Sequence, residues 1–108
     1  MMSLMCDSVF MKYEIATTNI FDEWLTGIRD IKNRARIISR FDQIQLGNLG
    51  DHKKLGENLF ELRFFFGPGF RIYFTIKSEK IIFLLCGGDK STQSKDIKKT
   101  RTIVDELE

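Results

Sequence analysis

The sequence predicts an α+β domain in which a helical hairpin packs on one face of a small, mainly antiparallel sheet. Three observations predict it. Apolar residues recur at helical spacing between positions 20 and 46, apolar and polar residues alternate from Leu59 to Lys77, and the helical period returns after Ser91. The resulting order is β-α-α-β-β-β-α, a layered α+β arrangement.

The first strand is placed at 11–16 (MKYEIA), which alternates and uses Tyr and Ile. Thr17, Thr18 and Asn19 are helix-capping types, and NIFDEWLTGI follows them with Asp22 and Glu23 in its first turn. Ile20, Phe21, Trp24, Leu25 and Ile28 form its apolar side. Asp30 is placed to cap a second helix reaching about Leu46, with Ile31, Ala35, Ile38, Phe41 and Ile44 as the apolar stripe and Gly47-Asn48 as the stop. GNLGDHKKLGEN reads as a glycine-rich polar loop.

From Leu59 the period is two. Phe60, Leu62, Phe64 and Phe66 point one way, and Glu61, Arg63 and Phe65 the other. Gly67-Pro68-Gly69 is a turn. In the next strand Phe70, Ile72, Phe74 and Ile76 share one face, and Arg71, Tyr73, Thr75 and Lys77 the other. Ser78-Glu79-Lys80 makes a tight connection. IIFLLC is apolar on both faces, as a doubly covered strand requires, and Gly87-Gly88-Asp89-Lys90 ends it. Ser91 is placed to cap a last helix over 92–107, whose apolar residues are Ile97, Ile103, Val104 and Leu107.

The 108 residues suit one domain, with 43% apolar and 30% charged residues, proportions of a globular chain rather than a disordered one. Residues 1–10 read as a flexible leader before a single domain over 11–108. MMSLMCDSVF offers neither a basic n-region nor an apolar h-region, so no secretory signal is expected, and no apolar run is long enough to span a membrane. Cys6 and Cys86 cannot form a disulfide framework, and with His52 as the single histidine they do not make a standard zinc site. The expected compartment is the reducing cytoplasm, with no metal and no cofactor.

Net charge is only +2, too small by itself to argue for a nucleic-acid partner. Its distribution says more. Arg29, Lys32, Arg34, Arg36 and Arg40 crowd one stretch against Asp30 alone. Such a stripe is either a solvated helix face or a phosphate-facing one.

The hairpin at Gly67-Pro68-Gly69 collects chemistry. If Phe66 pairs with Phe70, Arg63 faces Tyr73 and Phe65 faces Arg71, at the roughly 4.5–5.5 Å of directly opposed side chains. Glu61, Arg63, Arg71 and Tyr73 then share the sheet face away from the helical hairpin. A structural ion pair of Glu61 with Arg63 or Arg71 is one explanation. The other is phosphodiester chemistry. Guanidinium forks match phosphate oxygens and stabilise the charge that gathers on them in the transition state. Glu61 is then the candidate base for a ribose 2′-hydroxyl, Lys90 steadies a leaving oxygen, and Lys53 and Lys54 flank the RNA backbone. Tyr73 or one of the phenylalanines stacks on a base. His52 reads as a solvated loop residue rather than a base. Cys86 and Trp24 read as core, and Gly87-Gly88 lacks the spacing of a phosphate-cradling loop.

The pieces FDEWLTGIRDIKNRARIISRF, LGNLGDHKKLGENLFELRFFFGPGFRIYF and FLLCGGDKSTQSKDI resemble the HigB-type, phage Gp49-like addiction-module killer toxins of the RelE/ParE superfamily, over residues 11–108. The resemblance implies a RelE-like toxin fold and the toxin of a type II toxin–antitoxin system. It implies a ribosome-dependent mRNA endoribonuclease, or mRNA interferase, that uses the 2′-hydroxyl as nucleophile and needs no metal. It also implies a HigA-like helix-turn-helix antitoxin as partner, with operator DNA bound only through that complex. The Gly-aromatic-Arg of RelE-type toxins falls on Gly69-Phe70-Arg71, which makes Arg71 the catalytic arginine. Their Leu-Arg falls on Leu62-Arg63, and their basic residue after the last strand on Lys90. Two departures stand out. Glu61 replaces a lysine, and the C-terminal tyrosine is absent, with Asp96-Ile97 near its place. A ParE-like inhibitor of DNA gyrase and an inactive partner-binding remnant are the competing functions. Lys95, Lys98, Lys99 and Arg101 on the last helix are expected to meet rRNA or the antitoxin. Lys98 and Lys99 are the RNA-binding candidates there, and their contribution should be salt-dependent.

Overall fold

The computed structural model describes residues 12–107. The leader expectation, Cys6 and Met11 fall outside these residues. The described chain runs β1 (Glu14–Thr17), α1 (Asn19–Thr26), α2 (Ile31–Gln45), β2 (His52–Gly56), β3 (Leu59–Arg63), β4 (Phe70–Lys77), β5 (Ile81–Asp89), a 3-10 turn (Lys90–Thr92) and α3 (Gln93–Leu107). The fold is α+β, with three helices on a five-stranded sheet of order β1-β5-β4-β3-β2. β1 runs parallel to β5 and every other pair is antiparallel, so the sheet is mixed.

One strand was not expected. His52–Gly56 lies inside the stretch read as a polar loop, and it forms the edge strand β2 against β3. Its residues HKKLG are largely exposed, so no apolar alternation marks it. The last strand also runs further than its glycines suggest, through Gly87 and Gly88 to Asp89.

The helices begin where local chemistry places them. The Thr18 hydroxyl accepts from Phe21 N–H at 3.0 Å and donates to the Leu85 carbonyl at 2.7 Å, capping α1 and tying it to β5. Asp30 accepts from the backbone N–H groups of Lys32 and Asn33 and caps α2. α3 is entered through Asp89 rather than Ser91. The Asp89 carboxylate accepts from Ser91 N–H, and the Thr92 hydroxyl accepts from Asp89 N–H at 3.2 Å.

The two sheet faces are covered unequally. Phe21, Ile37 and Ile44 of the first two helices pack on Leu62, Ile72, Phe74, Ile82 and Leu84. Each such side chain contributes about 1.5–3 kcal/mol through burial. Of the expected stripe of α2, Ile44 is buried and Phe41 packs partly buried beside it, but Ile37 rather than Ile38 completes the stripe, and Ile31 and Ile38 are 71% and 46% exposed. Ile37 lies seven residues before Ile44 and so on its face, whereas Ile38 is turned a further 100° or so around the helix. On the other face α3 lays Ile97, Ile103 and Val104 over Tyr73, Leu85 and Cys86. The sheet face away from the helical hairpin is therefore largely closed.

Gly87 and Gly88 let both helices approach β5. A Cβ on Gly87 would sit 2.2 Å from the Trp24 ring of α1, and one on Gly88 would sit 1.8 Å from Asp96 Oδ2 of α3. The pair serves close packing on opposite sides of one strand.

Candidate functional site

The site is built on the β3–β4 hairpin. Phe64 N–H donates to the Phe70 carbonyl and Gly69 N–H to the Phe66 carbonyl, so the chain reverses through Gly67-Pro68-Gly69. Gly67 and Gly69 take φ of 58° and 79°, a region that favours glycine. Gly69 also passes close to the chemistry. A Cβ there would lie 3.4 Å from Lys90 Cβ and 3.7 Å from Arg71 Nη1.

The register differs from the expected one by two residues. Glu61 pairs with Tyr73 and Arg63 with Arg71, in place of Arg63 with Tyr73 and Phe65 with Arg71. Phe65 and Phe66 belong to the connection and not to the strand. A shift of two keeps every side chain on its face, so the expected facing survives while the opposed partners change.

Arg71 is 7% exposed. Its Nη1 donates to the carbonyls of Gly69 and Phe70, each at 3.1 Å, and its Nε lies 4.0 Å from Glu61 Oε2. Arg63 is half-exposed, with Nε 3.5 Å from Asp51 Oδ2. Lys90 is exposed and forms no ion pair among the described residues. Arg63, Arg71 and Lys90 line one cleft of about 390 Å³, together with Phe65, Pro68 and Gly69. Three of the four expected catalytic residues thus share a single concavity whose formal charges are all positive.

Glu61 makes the ion pair with Arg71 that is one of its two expected roles, and both Glu61 and Tyr73 are buried away from the cleft. Glu61 is 1% exposed, accepts from Gln93 Nε2 at 2.6 Å, and does not line the cleft. It sits behind Arg71, beneath the start of α3, where it touches the guanidinium rather than a ligand. Tyr73 is fully buried, so its ring cannot stack on a base. Burial first, and the neighbouring Glu61 carboxylate next, push the Tyr73 phenol well above its ordinary value. The burial of both has one cause, the docking of α3 across this part of the sheet.

The remaining expected RNA contacts lie outside the cleft. Lys53 and Lys54 are exposed on the edge strand β2, and Lys98 and Lys99 are exposed on α3. His52 is exposed, with Nδ1 2.8 Å from the Gly50 carbonyl. Cys86 is buried, and burial pushes its thiol up, away from nucleophile behaviour. Among the described residues no group of three His, Cys, Asp or Glu side chains is placed to hold a metal ion. No helix among them is long and apolar enough to cross a membrane.

A family model described as "Phage derived protein Gp49-like (DUF891)" matches residues 23–108, which include the whole hairpin, β5 and α3. The chain belongs to this Gp49-like family. The family is toxin-like. The Gp49-like chain is also 42% identical over 97 residues to an uncharacterized protein of Haemophilus influenzae (strain ATCC 51907 / DSM 11121 / KW20 / Rd), covering 90% of this chain and 98% of the relative. No solved structure matches it.

Three further side chains border the Gp49-like site, Phe65 in the hairpin connection and Arg36 and Arg40 on α2. Phe65 is 75% exposed at the cleft's rim, which leaves about 1.5–3 kcal/mol of burial unrealised. Arg40 braces the site from α2. Its guanidinium donates to the carbonyls of Leu49, Asp51 and Arg63 and lies 4.5 Å from the Phe64 ring centroid. Partial burial lowers its pKa from the ordinary arginine value, and Asp51 opposes that shift. Arg36 lies 4.0 Å from the Phe66 ring centroid. The basic stripe and the FFF run were both visible in the sequence, but their stacking depends on how α2 crosses the hairpin.

Proposed function

We propose that this Gp49-like protein is the toxin of a type II toxin–antitoxin system and acts as a ribosome-dependent mRNA endoribonuclease. One observation carries the proposal. Arg63, Arg71 and Lys90 converge on a single cleft beside an exposed aromatic ring. Directly opposed like charges destabilise a sheet, so Arg63 and Arg71 favour an anion between them. Arginine offers a fork that fits phosphate oxygens. The resemblance of GPGFRIYF and LLCGGDKS to HigB-type toxins of the RelE/ParE superfamily supports the same reading.

In the proposed reaction the ribose 2′-hydroxyl loses its proton to solvent water as its oxygen attacks the adjacent phosphorus, and the 5′ oxygen of the next nucleotide leaves. This gives a 2′,3′-cyclic phosphate and a 5′-hydroxyl. Arg71 and Arg63 stabilise the charge on the non-bridging oxygens. Lys90 is within the cleft to protonate or steady the leaving oxygen. Glu61 serves as a positioning residue, holding Arg71 through Nε while Gln93 holds Glu61. A HigA-like antitoxin is the proposed inhibitor, and the cytoplasm the proposed compartment.

Induction without a partner, followed by primer extension on cellular mRNA, tests the function. Discrete cuts within translated codons support it. DNA breaks with intact mRNA overturn it in favour of gyrase inhibition. Unimpaired growth with intact mRNA and DNA overturns it in favour of a binding remnant.

A further inference from the structure

A second concavity of about 510 Å³ adjoins the cleft, between α2 and the FFF run, and the two share Arg63, Phe64 and Phe65. Arg36, Arg40 and Gln43 of α2 border one side, and Asp51, Phe65 and Phe66 the other. Successive phenylalanines each carry a guanidinium. Arg40 lies 4.5 Å from the Phe64 centroid, Arg63 5.7 Å from that of Phe65, and Arg36 4.0 Å from that of Phe66. These stacks place flat aromatic and guanidinium surfaces side by side, the surfaces on which unpaired bases stack.

From this geometry we infer that the second concavity is a nucleobase subsite, taking the base of the nucleotide next to the phosphate held by Arg71 and Lys90. The inference rests on the ribonuclease reading. Phe65 supplies the exposed ring, and Arg36 supplies a cation with no ion pair among the described residues. Arg40 is committed to backbone carbonyls and Asp51 adds a carboxylate to the lining, so the concavity is a poor match for an acidic peptide. The Asp51 carboxylate repels a second acid but accepts from an exocyclic amino group. The Gln43 amide can donate and accept at a base edge.

A double-mutant cycle between protein and RNA tests the subsite. The probes are 2′-O-methyl RNA hexamers, which cannot undergo 2′-hydroxyl attack, intact or abasic at each position in turn. Their binding to wild-type, Phe65→Ala and Arg36→Ala protein is followed by fluorescence anisotropy. Circular dichroism checks that the variants fold, as expected for surface changes. Phe65→Ala is expected to weaken the intact hexamer roughly 5- to 100-fold. At one abasic position the loss should coincide with that of Phe65→Ala, and the variant should add nothing to it. Phe65→Trp should restore binding. Independent losses at every position overturn the subsite, as does a wild-type protein that binds no hexamer. Cellular mRNA cutting is scored separately, so the ribonuclease reading stands or falls on its own result.

Discussion

Arg63 and Arg71 are directly opposed across β3 and β4, with their side chains on the same sheet face. Each has one carboxylate, Asp51 for Arg63 and Glu61 for Arg71, and neither Nε has a hydrogen-bond partner. The sheet therefore holds two arginines at directly opposed backbone positions, each beside its own carboxylate.

Arg71→Ala leaves Glu61 buried without its cation. The expected cost is about 3–5 kcal/mol of stability by urea unfolding. Adding Glu61→Gln to Arg71→Ala should recover most of it, because the stranded charge is removed. If the double variant is as unstable as the sum of the two single changes, the two residues do not act as a pair.

Glu61→Gln alone separates a positioning role from a proton-transfer role. A glutamine still offers Gln93 a carbonyl acceptor, so Arg71 stays in place. Cutting of ribosome-bound mRNA is expected to fall less than about tenfold. A loss of roughly 10²–10⁴ is the signature of a general base and would restore that role to Glu61.

Much of this geometry was legible in the sequence, and the failures have physical causes. Period-two alternation placed Arg63 and Arg71 on one face, and that survived a register error because the error was an even number of residues. Strand β2 was missed because an exposed edge strand such as HKKLG needs no apolar face. Glu61 and Tyr73 looked like surface chemistry because the apolar pattern of α3 reveals that it packs, but not where. Their burial is set by α3 crossing β4 and β5. The Ile37–Ile38 pair shows the same limit within one helix, since adjacent isoleucines leave the stripe ambiguous until the sheet selects one of them.

Gly87→Ala and Gly88→Ala are each expected to destabilise by about 1–3 kcal/mol or more, because the added methyl meets Trp24 or Asp96. The partners are distinct. Trp24→Leu should ease Gly87→Ala and leave Gly88→Ala unrelieved, and Asp96→Ala should do the reverse. Thermal melts of the four double variants check this, and equal relief from either partner change would contradict the assignment.

Alkaline pH provides a probe of the buried face. The raised Tyr73 pKa means that the native state holds the phenol proton more tightly than the unfolded chain does. Its contribution is intact below about pH 10, the ordinary phenol range, and is lost as pH climbs through and beyond it. Urea unfolding at pH 8 and pH 11 should show a smaller alkaline loss for Tyr73→Phe than for wild type. Equal losses would mean that Tyr73 is not held neutral in the fold.

Arg71→Lys keeps the positive charge opposite Glu61 and removes the guanidinium fork from the proposed mRNA-cutting cleft of Arg63, Arg71 and Lys90. Purified wild-type and variant protein would be given ribosomes programmed with a defined message, with fragment yield and end chemistry read together. Wild-type fragments ending in a 2′,3′-cyclic phosphate are expected, with a rate for a folded Arg71→Lys protein lower by about 10²–10³. Undiminished cutting by that variant, or an uncut message with wild-type protein, would mean that the cleft is not the ribonuclease centre.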